Sequence, residues 1–276
     1  KDFQWESNFN ISFNKNKILA LSEDETRLLR PVSWGNYGNT NLYIAKVGGP
    51  IGQFYGLIWD GLYQIDDFTW QDNNDPSIPH EDRAYVLKST LPTNGSARAT
   101  IRPGDIKYVD VNGDGSITSQ DNVIIGRGLP IHYGGFNNNL TYKNLTLNFL
   151  LQWSYGNQIM NANRIYLEGN DANRSALNQF ATYADRWTYE NQDSQIPRAK
   201  GQGPSGYYST RTLEDGSYLR LKTVALNYRI PNIWSEKIKV DEINVYTSAQ
   251  NLWTWTNYSG MDPEVSTRNS ALTPGL

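Results

Sequence analysis

The amino-acid sequence predicts an all-β protein whose long antiparallel strands form part of a transmembrane β-barrel. Three observations support this fold class. Apolar and polar residues alternate over long segments, the polar positions are rich in Asn, Gln, Ser and Thr, and short and long connections alternate along the chain. A strand with one lipid-facing side needs an apolar residue only at every second position, so this pattern is typical of outer-membrane barrels.

The first strand is predicted in residues 1–14, where every even position is polar and five of the six odd positions from 3 to 13 are large and apolar. This period of two places all the apolar side chains on one face of a strand, whereas a helix would scatter them around its circumference. The apolar residues are Phe3, Trp5, Phe9, Ile11 and Phe13.

The same alternation recurs in residues 145–154, 223–230 and 243–250. A soluble β-sandwich would show it too, because one face of each sheet meets the core. The segments are about ten residues long, whereas strands most often have five or six. Length and amide-rich polar faces favour a barrel with a watery lumen, and the pattern alone leaves both architectures open.

The connections supply a second argument for a barrel. Short connections are predicted at residues 14–16, 48–50, 142–144 and 231–237, and long ones at 23–41, 65–129 and 158–216. Outer-membrane barrels combine short periplasmic turns with long extracellular loops. On this scheme the chain has about eight strands and stops inside an extracellular loop. We expect it to be a fragment of a longer protein that lacks the final strand.

The composition argues against several classes of function. With 25 Lys and Arg against 28 Asp and Glu, the net charge is −3, so no basic surface for nucleic acid is expected. The sequence has no Cys and only His80 and His132, which leaves little room for thiolate zinc sites or histidine-based triads. The 9 Trp, 18 Tyr and 8 Phe indicate a surface that faces lipid or sugar.

One motif carries coordination chemistry. Residues 110–121 fit the twelve-residue calcium loop, with oxygen donors at alternate positions and Gly115 at the sharp turn. The alternative is a metal-free turn, because Asn-Gly and Asp-Gly are common turn dipeptides. The β-like residues before the loop favour a structural Ca²⁺ clamp over a switch. The predicted ligands are Asp110, Asn112, Asp114, the Ser116 carbonyl, a water held by Thr118, and Asp121.

Five stretches of the chain also carry a family resemblance. They are residues 49–56 (GPIGQFYG), 103–115 (PGDIKYVDVNGDG), 135–139 (GFNNN), 217–222 (SYLRLK) and 250–264 (QNLWTWTNYSGMDPE). In sequence and in order they resemble the C-terminal part of a SusC-like (RagA-like) TonB-dependent outer-membrane transporter of the Bacteroidetes type. The stretches are spread over nearly all of residues 1–276.

The resemblance implies a barrel of about 22 strands with an N-terminal plug, energised through TonB and covered by a SusD-like surface lipoprotein. It implies import of glycans or peptides and no enzymatic activity, so no catalytic residue is predicted. Residues 1–276 would be barrel wall without the plug, and residues 65–129 a long extracellular loop with the calcium motif. The alternative function is a secreted, calcium-stabilised β-sandwich that binds carbohydrate; a glycan-cleaving enzyme ranks below both.

A barrel wall makes a further prediction about which side chains contact the lipid of the outer membrane. Apolar residues on the outer surface of the first strand and of the strand at 145–154 should share one exposed face. These residues are Phe3, Trp5, Phe9, Ile11, Phe13, Leu145, Leu147, Phe149 and Leu151.

Overall fold

The computed structural model describes residues 2–22, 24–34, 37–70, 75–168, 178–201, 203–204 and 207–264. This part of the chain is built mainly from β-strands, with two short helices, α1 (Ala162–Leu167) and α2 (Asn232–Ser235). The strands are β1 (Phe3–Phe13), β2 (Arg27–Trp34), β3 (Tyr37–Lys46), β4 (Gln53–Gly56), β5 (Trp59–Leu62), β6 (Phe68–Trp70), β7 (Tyr85–Leu87), β8 (Ile106–Tyr108), β9 (Val123–Arg127), β10 (His132–Tyr142), β11 (Leu145–Tyr155), β12 (Gln158–Met160), β13 (Leu213–Asp215), β14 (Tyr218–Arg229) and β15 (Asn244–Thr256).

Five strands of 11 to 13 residues form one antiparallel sheet, which we call the wall sheet. Its order is β1-β10-β11-β14-β15. The register places apolar residues of neighbouring strands beside one another, as in the row that joins Phe9, Phe136, Leu151, Leu221 and Trp253. The wall sheet therefore has one apolar face and one polar face.

Two irregularities preserve these faces in β14 and β15. β14 has one extra residue relative to β11, because Leu151 pairs with Leu221 and Leu150 with Thr223. β15 in turn has one extra residue relative to β14, because Leu221 pairs with Trp253 and Thr223 with Gln250. In this part of β15, Asn251 adopts a left-handed backbone conformation with φ of 51°. An extra residue reverses which side the following side chains take, so odd-numbered Leu221 shares the apolar face with even-numbered residues further along β14.

The long connections start at one end of the wall sheet, and the shorter connections lie at the opposite end. Phe13, His132 and Tyr155 are register neighbours at one end, so the long connections 14–131 and 156–217 both start there. The connections from β10 to β11 and from β14 to β15 lie at the other end. Short and long connections therefore alternate along the strands of the wall sheet, as in outer-membrane barrels.

The two long connections fold together into what we call the connector module. It contains a four-stranded sheet, β2-β3-β4-β9, and the pairs β5-β8, β6-β7 and β12-β13. One of its core clusters joins Val32, Tyr43 and Phe54 from the first connection to Met160 and Tyr208 from the second. Burial of apolar surface from both connections thus stabilises one shared core.

Two further clusters complete the connector module. The first surrounds Trp187, which is 2% exposed and donates from Nε1 to Gln64 Oε1 at 3.2 Å. The second is aromatic, with Phe68 edge-on to both Tyr63 and Tyr85. Because Trp187 is a core residue, its ring is not available for stacking on a sugar.

Several predicted boundaries differ from the structure. The predicted connection 23–41 contains β2 and half of β3, and residues 14–22 contain no strand. The hairpin β2–β3 forms because its apolar residues bury against side chains from the second long connection, more than a hundred residues away. The expected count of eight barrel strands is not confirmed, since five strands form the wall sheet in the described part of the chain.

Gly134 tests the packing of the apolar face. A Cβ atom at this position would overlap the Asn10 carbonyl oxygen and lie 2.5 Å from Cζ2 of Trp153. At Gly135, on the polar face, the nearest atom would be Asn10 Nδ2 at 3.3 Å. We expect Gly134→Ala to lower the free energy of unfolding by about 1–3 kcal/mol through overpacking. Denaturant unfolding followed by tryptophan fluorescence measures this change, and an equal effect of Gly135→Ala would contradict it.

Candidate functional site

The apolar face of the wall sheet is exposed. All nine residues predicted to contact lipid lie on this face by register, and Trp5, Phe9 and Phe13 are 61%, 61% and 71% exposed. None of the nine is among the buried core residues of the described chain. A β-sandwich would cover such a face with a second sheet. The observed exposure agrees with a face that meets lipid.

Asn138 is a buried polar residue on the apolar face. Its side chain is 1% exposed, and Oδ1 accepts hydrogen bonds from Trp5 Nε1 at 3.0 Å and Ser7 Oγ at 2.7 Å. The Asn138 amide oxygen is thereby satisfied within the sheet, whereas its buried Nδ2 has no hydrogen-bond partner among the described residues.

The polar face carries a buried arginine. Arg220 is 3% exposed and donates to Thr254 Oγ1 at 2.9 Å, to Asp262 Oδ1 at 2.5 Å and to Glu264. Lys222 Nζ adds a contact of 3.3 Å to Glu264 Oε2. These contacts fix residues 257–264, which we call the return segment, against the polar face after β15 ends.

The carboxyl of Asp262 responds to this environment. Burial raises its pKa, but the Glu264 N–H hydrogen bond and the charge of Arg220 outweigh burial and hold the pKa below its usual value. The carboxylate is therefore the favoured form, and its pair with Arg220 persists at neutral pH.

A second ion network joins the return segment to the connector module. Arg164 contacts Glu168 at 2.8 Å and Glu214 at 3.1 Å, and Arg211 contacts Glu168 at 2.7 Å. Glu214 also accepts a hydrogen bond from the Ser259 N–H at 2.7 Å. Burial lowers the pKa of the Arg211 guanidinium, and the charge of Glu168 opposes that effect.

The calcium motif forms a turn-rich loop. Asp110 accepts from the backbone N–H groups of Gly113 at 2.8 Å and Gly115 at 2.7 Å. Asn112 Oδ1 accepts from the Asp114 N–H at 2.9 Å, and Asp114 Oδ1 from the Ser116 N–H at 2.8 Å. Gly113 and Gly115 have φ of 75° and 82°, values that favour glycine.

Asp121 lies apart from the exposed side of this loop. Its side chain is fully buried and accepts from the N–H groups of Val111 at 3.0 Å and Thr118 at 2.8 Å. The structure thus places all six predicted ligands in one loop, with the carboxylates bonded to backbone. Among the described residues, no group of three or more Asp, Glu, His or Cys side chains is arranged to hold a metal ion.

In the described part of the chain, no helix is long and apolar enough to cross a membrane.

Comparison with known proteins identifies relatives of the chain. No protein-family model matches the chain. It is 36% identical over 270 residues to TonB-dependent receptor P26 of Formosa agariphila, which covers 96% of this chain and 24% of the relative. TonB-dependent receptor P3 of the same organism is 31% identical over 269 residues, covering 98% of this chain and 24% of the relative. Over nearly its whole length the chain is similar to SusC-like TonB-dependent receptors.

Two further comparisons agree. TonB-dependent receptor SusC of Bacteroides thetaiotaomicron is 27% identical over 273 residues, covering 96% of this chain and 22% of the relative. The structure of the RagAB peptide transporter superposes with a TM-score of 0.68 at 23% identity, covering 96% of this chain and 25% of that one, which shows a shared fold. The chain spans about a quarter of the length of the curated relatives it matches.

The sequence prediction missed both ion networks. The partners of Arg220 lie 42 and 44 positions away, so no local spacing reveals them. A signal existed nonetheless, because Arg220 lies in one of the stretches that carry the family resemblance, 217–222, and Asp262 and Glu264 lie in another, 250–264.

Arg220 tests how the return segment is held. We expect Arg220→Gln to cost about 1–3 kcal/mol locally, because charge-assisted hydrogen bonds to two half-exposed carboxylates are lost. Hydrogen exchange at the Glu264 amide should accelerate about tenfold for each 1.4 kcal/mol by which the local stability falls. Arg229→Gln serves as the control, because Arg229 lies on the same strand as Arg220 and its ion pair with Glu242 is exposed.

The same exchange experiment has a pH dependence. Because folding lowers the pKa of Asp262, the stabilisation is present above its unfolded value of about 3.9 and is lost as the pH falls through the folded value. Unchanged protection at Glu264 in Arg220→Gln, or no loss of protection in acid once the exchange rate is corrected for the intrinsic rate at each pH, would contradict the assignment.

Proposed function

We propose that this chain is part of the barrel wall of an outer-membrane importer that takes up glycans or peptides. The observation that carries the proposal is the wall sheet, whose exposed apolar face lies opposite a polar face. Eleven residues at about 3.3 Å each span about 36 Å, or about 26 Å when tilted by 45°, close to the apolar band of such barrels. The apolar face would contact lipid and the polar face would line the lumen.

Aromatic residues at both ends of the apolar face support this orientation. Phe3, Tyr142 and Tyr228 lie near the end with the short connections, and Phe13 and Tyr155 lie at the opposite end. Outer-membrane barrels carry aromatic girdles at both membrane interfaces. The connector module then lies outside the cell, because long loops are extracellular.

The partners follow from the relatives. Energy would come through TonB by way of parts of the receptor outside this chain, and a SusD-like lipoprotein would cover the extracellular side. The RagAB complex is described as a peptide transporter, and for this chain both peptide and glycan cargo remain within the proposal. Transport without catalysis is the proposed activity.

Phe9 tests the lipid contact. Phe9→Arg places a charge on the apolar face near mid-strand, and we expect it to lower the unfolding free energy of the full-length receptor by about 2–4 kcal/mol. Asn8→Arg changes the neighbouring position on the polar face and should cost much less. Guanidinium unfolding in phospholipid bilayers measures both variants. Equal costs, or recovery of the receptor in the soluble fraction without detergent, would reject the wall placement.

We further propose that residues 110–121 bind one Ca²⁺ as a structural clamp. The ligands would be Asp110, Asn112, Asp114, Asp121 and the Ser116 carbonyl, with Thr118 holding a water. The donors are all oxygen, as calcium prefers. A carboxylate oxygen that accepts one N–H keeps a second lone pair for a cation. Asp121, bonded to three N–H groups, is the ligand with the least freedom.

Chelation tests the clamp. We expect EGTA to speed proteolysis between residues 85 and 128 while the wall strands stay intact, because the ion orders only the loop. Asp114→Ala should act like chelation. Asp75→Ala is the matched control, since Asp75 accepts from the Ser77 N–H at 2.8 Å in a similar turn outside the motif. If EGTA does not change the rate of cleavage and anomalous scattering shows no ion, residues 110–121 form a turn that does not bind Ca²⁺.

A further inference from the structure

The connection between β14 and β15 differs from the connection between β10 and β11, which lies at the same end of the wall sheet. β10 and β11 are joined by two polar residues, Lys143 and Asn144. Residues 230–243, which we call the helical connection, contain α2 and then a turn of 3₁₀-helix at Glu236–Ile238. Lys239 ends this turn in a left-handed conformation with φ of 63°. The helical connection is therefore an ordered element and more than a tight turn.

Four apolar side chains of the helical connection are exposed. Ile233, Trp234 and Ile238 are 67%, 69% and 63% exposed, and Val240 is exposed as well. Single apolar residues are scattered over any protein surface, but here the four fall within residues 233–240. A cluster of this kind marks a surface that contacts a membrane or another protein.

The backbone of the helical connection is hydrogen-bonded within itself. The Trp234 N–H donates to the Pro231 carbonyl at 2.9 Å, and the Val240 N–H donates to the Ser235 carbonyl at 3.1 Å. An apolar environment requires that polar backbone groups find partners inside the protein. Residues 234 and 240 can therefore leave water without an unpaired N–H.

The start of α2 belongs to the polar face of the wall sheet. Asn232 lines a cavity of about 610 Å³ together with Asn227, Arg229 and Asn244, which lie on the polar face by register. A helix turns by about 100° per residue, so Trp234 lies about 200° around α2 from Asn232. The indole ring therefore emerges on the side away from the polar cavity.

The apolar face of the wall sheet leads to that side of α2. Tyr228 and Val245 are register partners on the apolar face, and both are exposed. One step closer to the helical connection, the Ile230 N–H donates to the Ile243 carbonyl at 2.9 Å. The apolar surface thus continues beyond the strands to Trp234, whose ring and N–H suit the boundary between headgroups and hydrocarbon.

Charge does not account for a membrane contact here. The helical connection contains Lys237 and Lys239 against Glu236, Asp241 and Glu242. Because acidic groups are in excess, anionic lipid would not attract the connection as a whole. Burial of the apolar side chains would drive the contact, and burial does not depend on the charge of the headgroup.

We propose that the helical connection lies on the periplasmic leaflet, with Trp234 and Ile238 inserted between its phospholipids. The inference rests on the proposed placement of the wall sheet, in which the end with the short connections faces the periplasm. It adds an anchor along the membrane surface to strands that cross the membrane. The partner is the phospholipid surface, because the apolar side of α2 is continuous with the face that contacts lipid.

Spin labels on the full-length receptor in phosphatidylethanolamine bilayers test the anchor. The chain has no Cys, so Trp234→Cys and Ile238→Cys each provide one labelling site in it, and any cysteines elsewhere in the receptor are replaced by Ser. Oxygen concentrates in lipid, whereas a nickel chelate stays in water. From the accessibility to these two reagents, we expect both labels to lie about 5–10 Å into the boundary between headgroups and acyl chains.

Glu236→Cys is the matched control, because Glu236 is polar, exposed and lies between the two labelled positions. Its label should lie in water. If nickel reaches Trp234→Cys and Ile238→Cys as freely as Glu236→Cys, the helical connection lies in water. If both reagents are excluded, a protein segment covers it. Either result overturns the anchor, and Ile238→Cys retains Trp234, so loss of the indole ring cannot explain it.

Two further measurements separate the anchor from the placement of the wall sheet. A label at Phe9→Cys should be accessible to oxygen and not to nickel; access to nickel there would reject the proposed function. If Phe9→Cys behaves as expected and Ile238→Cys does not, the barrel wall stands without the anchor. Phosphatidylglycerol added to the bilayers should leave the depth at Ile238→Cys unchanged. Insertion only when phosphatidylglycerol is present would overturn an anchor driven by apolar burial.

Discussion

The structure depends on the register of the wall sheet, because register alone decides which side chains share a face. A strand has a side-chain period of two, so a shift of one residue would move Phe9 or Leu151 to the polar face. The irregularity beside Lys222 and Asn251 is therefore essential to the pattern: it keeps Leu221 and Trp253 beside Leu151 although the alternation changes phase in the sequence. With the faces fixed, the ends of the strands fix where each connection starts.

The connector module follows from that geometry. Both long connections begin at the same end of the sheet, and two of the three core clusters contain buried residues from both. Tyr208 of the second connection donates from its hydroxyl to the Val32 carbonyl of the first at 3.2 Å, and Leu57 donates its N–H to the Tyr208 carbonyl at 2.9 Å. The return segment adds a third component, tied to the module through Glu214 and to the wall through Arg220.

The sequence predicted the features that rest on local pattern. The alternation in β1, β11 and β15 identified their faces, and the glycines of residues 110–121 identified a tight loop. The hairpin β2–β3 was not predicted, because its burial comes from side chains far along the chain. The ion networks were missed for a related reason, since Arg164 and Glu214 are 50 positions apart.

The shared core of the connector module has a consequence for how such receptors diversify. Exchange of a single loop between relatives is usually tolerated when the loop carries its own packing. Here, a recombinant that inherited residues 14–131 from one parent and residues 156–217 from another would bring mismatched halves of one hydrophobic core together. The unit that can be transplanted onto a different wall sheet is the pair of connections, so chimeric receptors with a new connector module should take both connections from the same donor.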